Sequence, residues 1–376
     1  MTILSLLMNP AFACGGFVPQ EGALAASDAQ QALFDLAADR VTVTYRARYQ
    51  GNAADFAWVL AVPGKVDAVE EGDGDTLDAI ALASAPQVEV DPAAESAGCG
   101  CGSSGGLSKG ATDGSFGEAG DTGVQVTSTG VAGAYTYTTL AAADADSLVT
   151  WLSEHGYDVS RIQDSIAAYV ADPLDYEFVA VQLVPELPEE YGQYGADLAP
   201  LAITYGAASD GAVHAIFPAR LGVTSGVETV RTEIFVLGTG TATLSGWEGV
   251  ANPDVANGDT WDAVGADYSD PEGVYTQHLM SYGGSQRRMW QAYAGAYPGE
   301  TGERWLTRYD AIVYPSTNSV DAVFADSGIQ TVATTVIYLM EESRNEREYP
   351  GDTAFGFVGL VGGLAWRRRR RSIARS

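Results

Sequence analysis

Period-two segments set the strongest limit on what this chain can fold into. "RVTVTYRARYQG" (residues 40–51) and "DFAWVLAVPG" (55–64) alternate β-branched and aromatic residues and are separated by Gly51-Asn52, so both read as strands. "YEFVAVQLV", "APLAITYG", "VHAIFPARLG", "RTEIFVLGTG" and "QTVATTVIYLM" add later strands. Helical periodicity is confined to three short stretches. "DTLDAIALASAP" places Asp75 as the N-cap, Asp78 at N3 and Pro86 at the stop. "DADSLVTWLSEHGYDVS" predicts a helix from about Asp146, with Leu148, Val149 and Leu152 on one face and Gly156 ending it. "SRIQDSIAAYVAD" offers Ser160 and Gln163 as a capping box. Strands and helices are segregated rather than strictly alternating. The expected class is α+β, with mixed, largely antiparallel sheets, a few helices and a disordered Gly-rich insertion. No internal repeat indicates a solenoid.

Both ends carry address-like segments. "MTILSLLMNPAFA" has a short apolar run from Ile3 to Met8, then Pro10 and the small residues Ala11 and Ala13 before Cys14. That is the tail of a secretory signal peptide over 1–13, with no basic n-region and a true start that can lie upstream. At the other end "EESRNEREYPGDTA" (341–354) is a polar linker, "FGFVGLVGGLAW" (355–366) an apolar segment and residues 367–376 an Arg-rich tail. As a helix the apolar run would reach about 18 Å, short of a ~30 Å hydrocarbon core. Arginine snorkelling and local thinning close part of that gap. Positive charge after the run puts the tail in the cytoplasm and the body outside. The order of linker, Gly-rich apolar segment and arginines resembles bacterial C-terminal sorting tags cut by a membrane protease, without the cysteine of the myxobacterial type.

Between these ends lies a body at 14–340 with a flexible insertion at 91–123, "DPAAESAGCGCGSSGGLSKGATDGSFGEAGDTG", rich in Gly, Ser and Ala and without hydrophobic period. The chain of 376 residues carries a formal charge of −29. Lysine occurs only at Lys65 and Lys109, and six arginines fall in the last ten residues, which leaves 14 basic against 49 acidic residues elsewhere. Such a surface repels phosphate backbones and excludes nucleic acid as a partner. Its simplest use is solubility.

"ACGGF", "YQGNAADFAWVLAVPG", "WLSEHGYDV", "FVAVQLV", "IFPARLG", "TEIFVLG" and "LTRYDAIVYPSTNSVDAVFAD" occur in this order from Cys14 to about Ala325. Together they resemble the bacterial domain-of-unknown-function family 2330, secreted or surface proteins common in myxobacteria and their relatives. Members commonly carry a Cys- and Gly-rich insertion after the first helix, which "CGCGSSGG" resembles. The resemblance implies architecture and location but no reaction.

Three cysteines, Cys14, Cys99 and Cys101, would meet an oxidising space, where pairing is favoured and an odd count leaves one over. The preferred scheme ties Cys14 to Cys99 or Cys101. A strained redox-active Cys99–Cys101 bridge, lipidation of Cys14 and soft-metal binding are the other uses. Lipidation would want a Leu-like residue where Ala11 stands, and a metal finds no evident fourth ligand among His155, His214 and His278. Gly106-Leu107-Ser108-Lys109-Gly110 matches G-x-S-x-G, and Gly100, Gly102 and Gly105 match G-x-G-x-x-G. Neither has the strand and helix that such loops require, so both are chance. For Ca2+, the oxygen-rich stretch "NPDVANGDTWDAVGADYSD" offers Asp254, Asn257, Asp259 and Asp262 as candidate ligands. In "EEGDGDTLD" Thr76 occupies the position of the loop glycine and Leu82 that of the final glutamate, so that stretch is assigned to a helix cap. Trp247, Trp261, Trp290 and Trp305 could form a sugar-stacking platform, though core is the commoner fate.

The expected function is a structural or ligand-binding role in the cell envelope. The expected partners are signal peptidase, a C-terminal sorting protease and the membrane. No catalytic or cofactor-binding residue is assigned. An extracytoplasmic hydrolase and a thiol-redox protein using Cys99 and Cys101 are the alternatives.

Overall fold

The computed structural model describes residues 16–19, 25–27, 29–51, 56–90, 123–183, 196–224, 229–251, 279, 288–298, 304–314, 320–334 and 336–339. Among them the larger sheet runs in spatial order β16 (Glu248–Ala251), β17 (Arg288–Ala296), β18 (Trp305–Val313), β14 (Val230–Gly238), β3 (Ala29–Leu36), β4 (Val41–Gly51), β12 (Leu201–Tyr205) and β6 (Val66–Glu71). The short strands β2 (Ala25–Ala26) and β11 (Ala196–Asp197) pair with β4, and β20 (Ala333–Thr334) pairs with β17. A five-stranded antiparallel sheet orders β1 (Gly16–Pro19), β5 (Phe56–Pro63), β10 (Tyr176–Leu183), β9 (Tyr135–Ala142) and β8 (Val124–Ala132). The strands β13 (Ala215–Phe217), β19 (Ala322–Asp326) and β15 (Ala242–Ser245) form a small sheet, and β7 (Gln87–Val90) pairs in parallel with β21 (Val336–Leu339). In the larger sheet the pairs β3–β14 and β16–β17 are parallel and the others antiparallel.

The two large sheets face each other. Phe34, Val43, Ile203, Ile234 and Tyr309 from one share a core with Trp58, Leu60, Val179 and Val181 from the other. An edge-to-face contact of Tyr45 with Trp58, at 6.1 Å between centroids, crosses this layer, and Tyr45 makes another with its sheet neighbour Phe34 at 6.2 Å. The outer face of each sheet is covered by helix. Leu77 and Ile80 of α1 (Gly74–Ala83) pack on Leu33, Phe235, Leu237 and Leu306 of the larger sheet. Leu148, Trp151 and Leu152 of α2 (Ala145–Glu154), with Ile166 and Tyr169 of α3 (Gln163–Val170), pack on Val59, Leu140 and Phe178 of the smaller.

The sheets are mixed and largely antiparallel, as expected, but the class is corrected: the fold is predominantly β rather than a balanced α+β. The helices are 8–10 residues long and only cap outer faces, while the central layer draws on none of them and is built mainly from strands. All three helices lie where the pattern put them. For α1 the N-cap is Asp73 rather than Asp75; its carboxylate accepts from the amides of Asp75 at 3.0 Å and Thr76 at 3.2 Å. For α2 the expected C-terminal glycine is in place: Gly156, at φ +86°, follows the C-cap His155. The Ser160–Gln163 capping box does not form. α3 starts at Gln163 with no side-chain cap, and the Ser160 amide donates to Asp158 instead.

Candidate functional site

Charged residues gather at one place where apolar sequence would be expected. On the outer face of the larger sheet, Arg308 and Asp310 of β18 and Glu233 of β14 are nearly or fully buried. Arg308 and Asp310 stand two apart and Glu233 is the register partner of Asp310, so alternation turns all three toward α1. The guanidinium of Arg308 donates to Asp310 at 2.9 and 3.1 Å, to Glu233 at 2.7 Å and to the Ala81 carbonyl of α1 at 3.0 Å. Its planar fork also lies 5.4 Å from the Phe235 ring centroid. Glu233 accepts further bonds from Arg231 at 2.9 Å and Gln31 at 2.7 Å. Gln31 in turn accepts from Arg46, whose other arm reaches Asp78 of α1 at 2.5 Å. The chain of contacts starts on α1, crosses four adjacent strands and returns to α1, holding that helix on the sheet.

The electrostatics suit this role. Burial works against the Glu233 charge, but Arg308 and Arg231 outweigh it and hold the carboxyl below its ordinary range. A general base working near neutrality needs a shift the other way. The cavity beside Gln30, Gln31, Arg46 and Trp58 has a volume of about 10 Å³, room for roughly one water.

A second cluster joins α3 to the turn Ala219–Thr224 and to the start of β19. Asp321 accepts from the Tyr169 hydroxyl at 2.8 Å, the Arg220 amide at 2.9 Å and the Arg220 guanidinium at 2.8 Å. That guanidinium sits 3.9 Å from the Tyr169 ring centroid and 3.5 Å from Asp172. Burial pushes the Asp321 carboxyl up, opposed by Arg220, while Asp321 and Tyr169 keep Arg220 charged against its own desolvation. Neither cluster was assigned from sequence. The available signal was a charged pair at i and i+2 inside an apolar strand, as in "WLTRYDAIV".

Cys14, Cys99 and Cys101 lie outside the described residues, as do Asp254, Asn257, Asp259, Asp262, His278 and the G-x-S-x-G and G-x-G-x-x-G strings. The described histidines are apart from one another: His155 stacks on Trp151 at 3.8 Å, and His214 pairs with Asp210 at 2.8 Å. Among the described residues no cluster of three or more His, Cys, Asp or Glu could hold a metal ion. Trp247, Trp290 and Trp305 are buried, which corrects the sugar-platform option for these three; Trp261 lies outside the described residues. No helix among the described residues is long and apolar enough to cross a membrane, and residues 355–366 are outside them.

Residues 9–261, more than half of the chain, match the family described as an uncharacterized protein conserved in bacteria, domain-of-unknown-function family 2330. The chain belongs to that family. The matched span ends before β17 and β18, yet β18 lies inside the larger sheet, next to β14. The folded body therefore extends past the family match, and Arg308, Asp310 and Asp321 come from the part beyond it. No curated protein matches the chain. Among solved structures it is similar to the crystal structure of baculovirus P35, at 9% identity, with 83% of this chain and 97% of that chain covered and a TM-score of 0.35. A likeness at that TM-score carries no argument about fold or function.

Proposed function

We propose that this member of the family is an exported protein of the bacterial cell envelope, with a structural or ligand-binding role. Residues 1–13 direct export, and residues 355–376 hold the chain in the membrane, at least until a sorting protease cuts them. The observation that carries the reading is the pair of terminal segments: a short apolar run ending in Ala11-Phe12-Ala13 before Cys14, and an apolar run followed by five arginines from Arg367. The buried charges support the structural half of it, since Arg308, Glu233 and Asp310 are engaged in tying α1 to the sheet.

Intact mass and non-reducing peptide mapping of protein taken from its own envelope test this. The expected species begins at Cys14, carries a disulfide from Cys14 to Cys99 or Cys101 and ends before the arginines. A chain retaining Met1 with three free thiols would overturn the envelope assignment.

A further inference from the structure

Among the described residues the three most exposed large hydrophobic side chains are Leu82 at 81%, Val332 at 73% and Ile329 at 67%, well above Val126 and Val131 of β8. Strand register and packing link the end of α1 to the loop 327–332. Leu82 lies on the last turn of α1, five residues before Gln87, and Val332 lies four residues before Val336. Gln87 and Val336 are register partners in the parallel pair of β7 and β21. Ala81 and Tyr293 pack on the same apolar cluster, and Tyr293 is the register partner of Thr334, two residues after Val332.

The loop that carries Ile329 and Val332 is held firmly. The Thr241 amide donates to the Ile329 carbonyl at 2.8 Å, and the Thr331 amide donates to the Thr241 hydroxyl at 3.0 Å. A Cβ on Gly240 would meet the Ile329 nitrogen at 2.4 Å, so the two turns are pressed together. Asp326 turns its carboxylate onto the amides of Thr239, Gly240 and Gly328, at 2.5, 2.9 and 2.9 Å. From Ser327 to Val332 the loop has no charged residue. Ordering apolar side chains in water has a cost that a partner surface would offset.

We propose that this patch rests on the bilayer interface at the foot of the C-terminal tail. The inference relies on the reading of residues 355–376 as a membrane segment. The chain leaves β21 at Leu339, seven residues after Val332, and residues 340–354 allow at most roughly 50 Å to the apolar run. Tethering at that range raises the local concentration of membrane, so three aliphatic side chains suffice where they would fail from free solution. The patch lacks basic residues and the body is acidic, so the surface it fits is neutral, zwitterionic lipid.

The test uses the full chain with Cys14, Cys99 and Cys101 each changed to Ser and Gln330→Cys carrying a fluorophore. It is reconstituted into phosphatidylcholine vesicles whose lipids bear bromine high on the acyl chain. Quenching of the label, lost in Leu82→Ser/Ile329→Ser/Val332→Ser while that variant still co-floats with vesicles, supports the proposal. A parent chain that co-floats with its label unquenched overturns the docking and leaves the anchor standing. A chain that does not co-float overturns the anchor, and the docking with it. A label shielded without vesicles and uncovered by deleting 355–376 overturns it too, because the occupant is then the protein's own apolar segment.

Discussion

Arg308 is where the physical account of this fold is most exposed to test. Arg308→Met keeps the unbranched stem of the side chain but removes the charge that faces Asp310 and Glu233. Removing one member of a buried ion pair costs about 3–5 kcal/mol, because the remaining charge stays desolvated. Glu233 keeps Arg231 and Gln31, which argues for the lower half of that range, and the lost bond to the Ala81 carbonyl adds about 1 kcal/mol. The expected total is about 4 kcal/mol, or a drop of roughly 6 °C in Tm for a body of this length. Urea unfolding followed by tryptophan fluorescence measures it, read at constant slope.

The pH dependence has a definite sign. In the parent, Glu233 titrates below its unfolded value of about 4.3, so its contribution is complete above that pH and is lost as pH falls through the folded value. In Arg308→Met the buried carboxylates resist ionisation, so the deficit is largest near neutrality and shrinks in acid as they protonate. The charge-free combination of Arg308→Met, Glu233→Gln and Asp310→Asn recovers most of the loss. A deficit below about 1 kcal/mol at neutral pH, or a combination no more stable than the single change, would refute the assignment of this cluster as the tie between α1 and the sheet.

Gly240→Ala forces a backbone shift against Ile329 and lowers stability by about 2 kcal/mol or more, seen as a fall in melting temperature; an unchanged melt would mean the two turns are not in contact. Phe178→Ala, at a position with no exposure between α3 and the smaller sheet, costs about 3–5 kcal/mol in denaturant titration. Asp73→Ala removes the α1 cap at a cost of about 1 kcal/mol while Asp73→Asn retains most of it. The side chain and amide of Thr76 hold the Asp73 carboxyl below its ordinary range, so the difference between parent and Asp73→Ala is present above about pH 4 and fades as acid protonates the cap.

What could be read in the sequence was what local chemistry decides. α1 and α2 carry their stop signals within a few residues, and β4, β5, β10, β12 and β14 carry period-two alternation or β-branched runs long enough to be unambiguous. β3 is the instructive miss. "AQQALFDL" is rich in helix formers, yet it is an inner strand of the larger sheet, with Ala32 and Phe34 in the core. Its two glutamines are satisfied by Thr232 at 2.6 Å and Glu233 at 2.7 Å, on a strand 202 residues away. Nothing local announces such partners, and tertiary pairing overrides propensity. The ion clusters were missed for the same reason. Arg308 meets Glu233 75 residues back and Asp321 meets Tyr169 152 residues back, so only the fold shows that a charge in an apolar strand has company.

The parallel seating of β3 between β14 and β4 bears on how such a chain can be delivered. A strand from the first tenth of the sequence has one neighbour at hand, across the hairpin to β4, and its other neighbour only after β14 has been made. Loop closure over that separation is slow, so the larger sheet cannot close while its first strands alone have emerged. The larger sheet of this topology stays open until β14, ending at Gly238, has been made. For the export proposed above, that delay keeps it competent to cross a membrane before it becomes rigid.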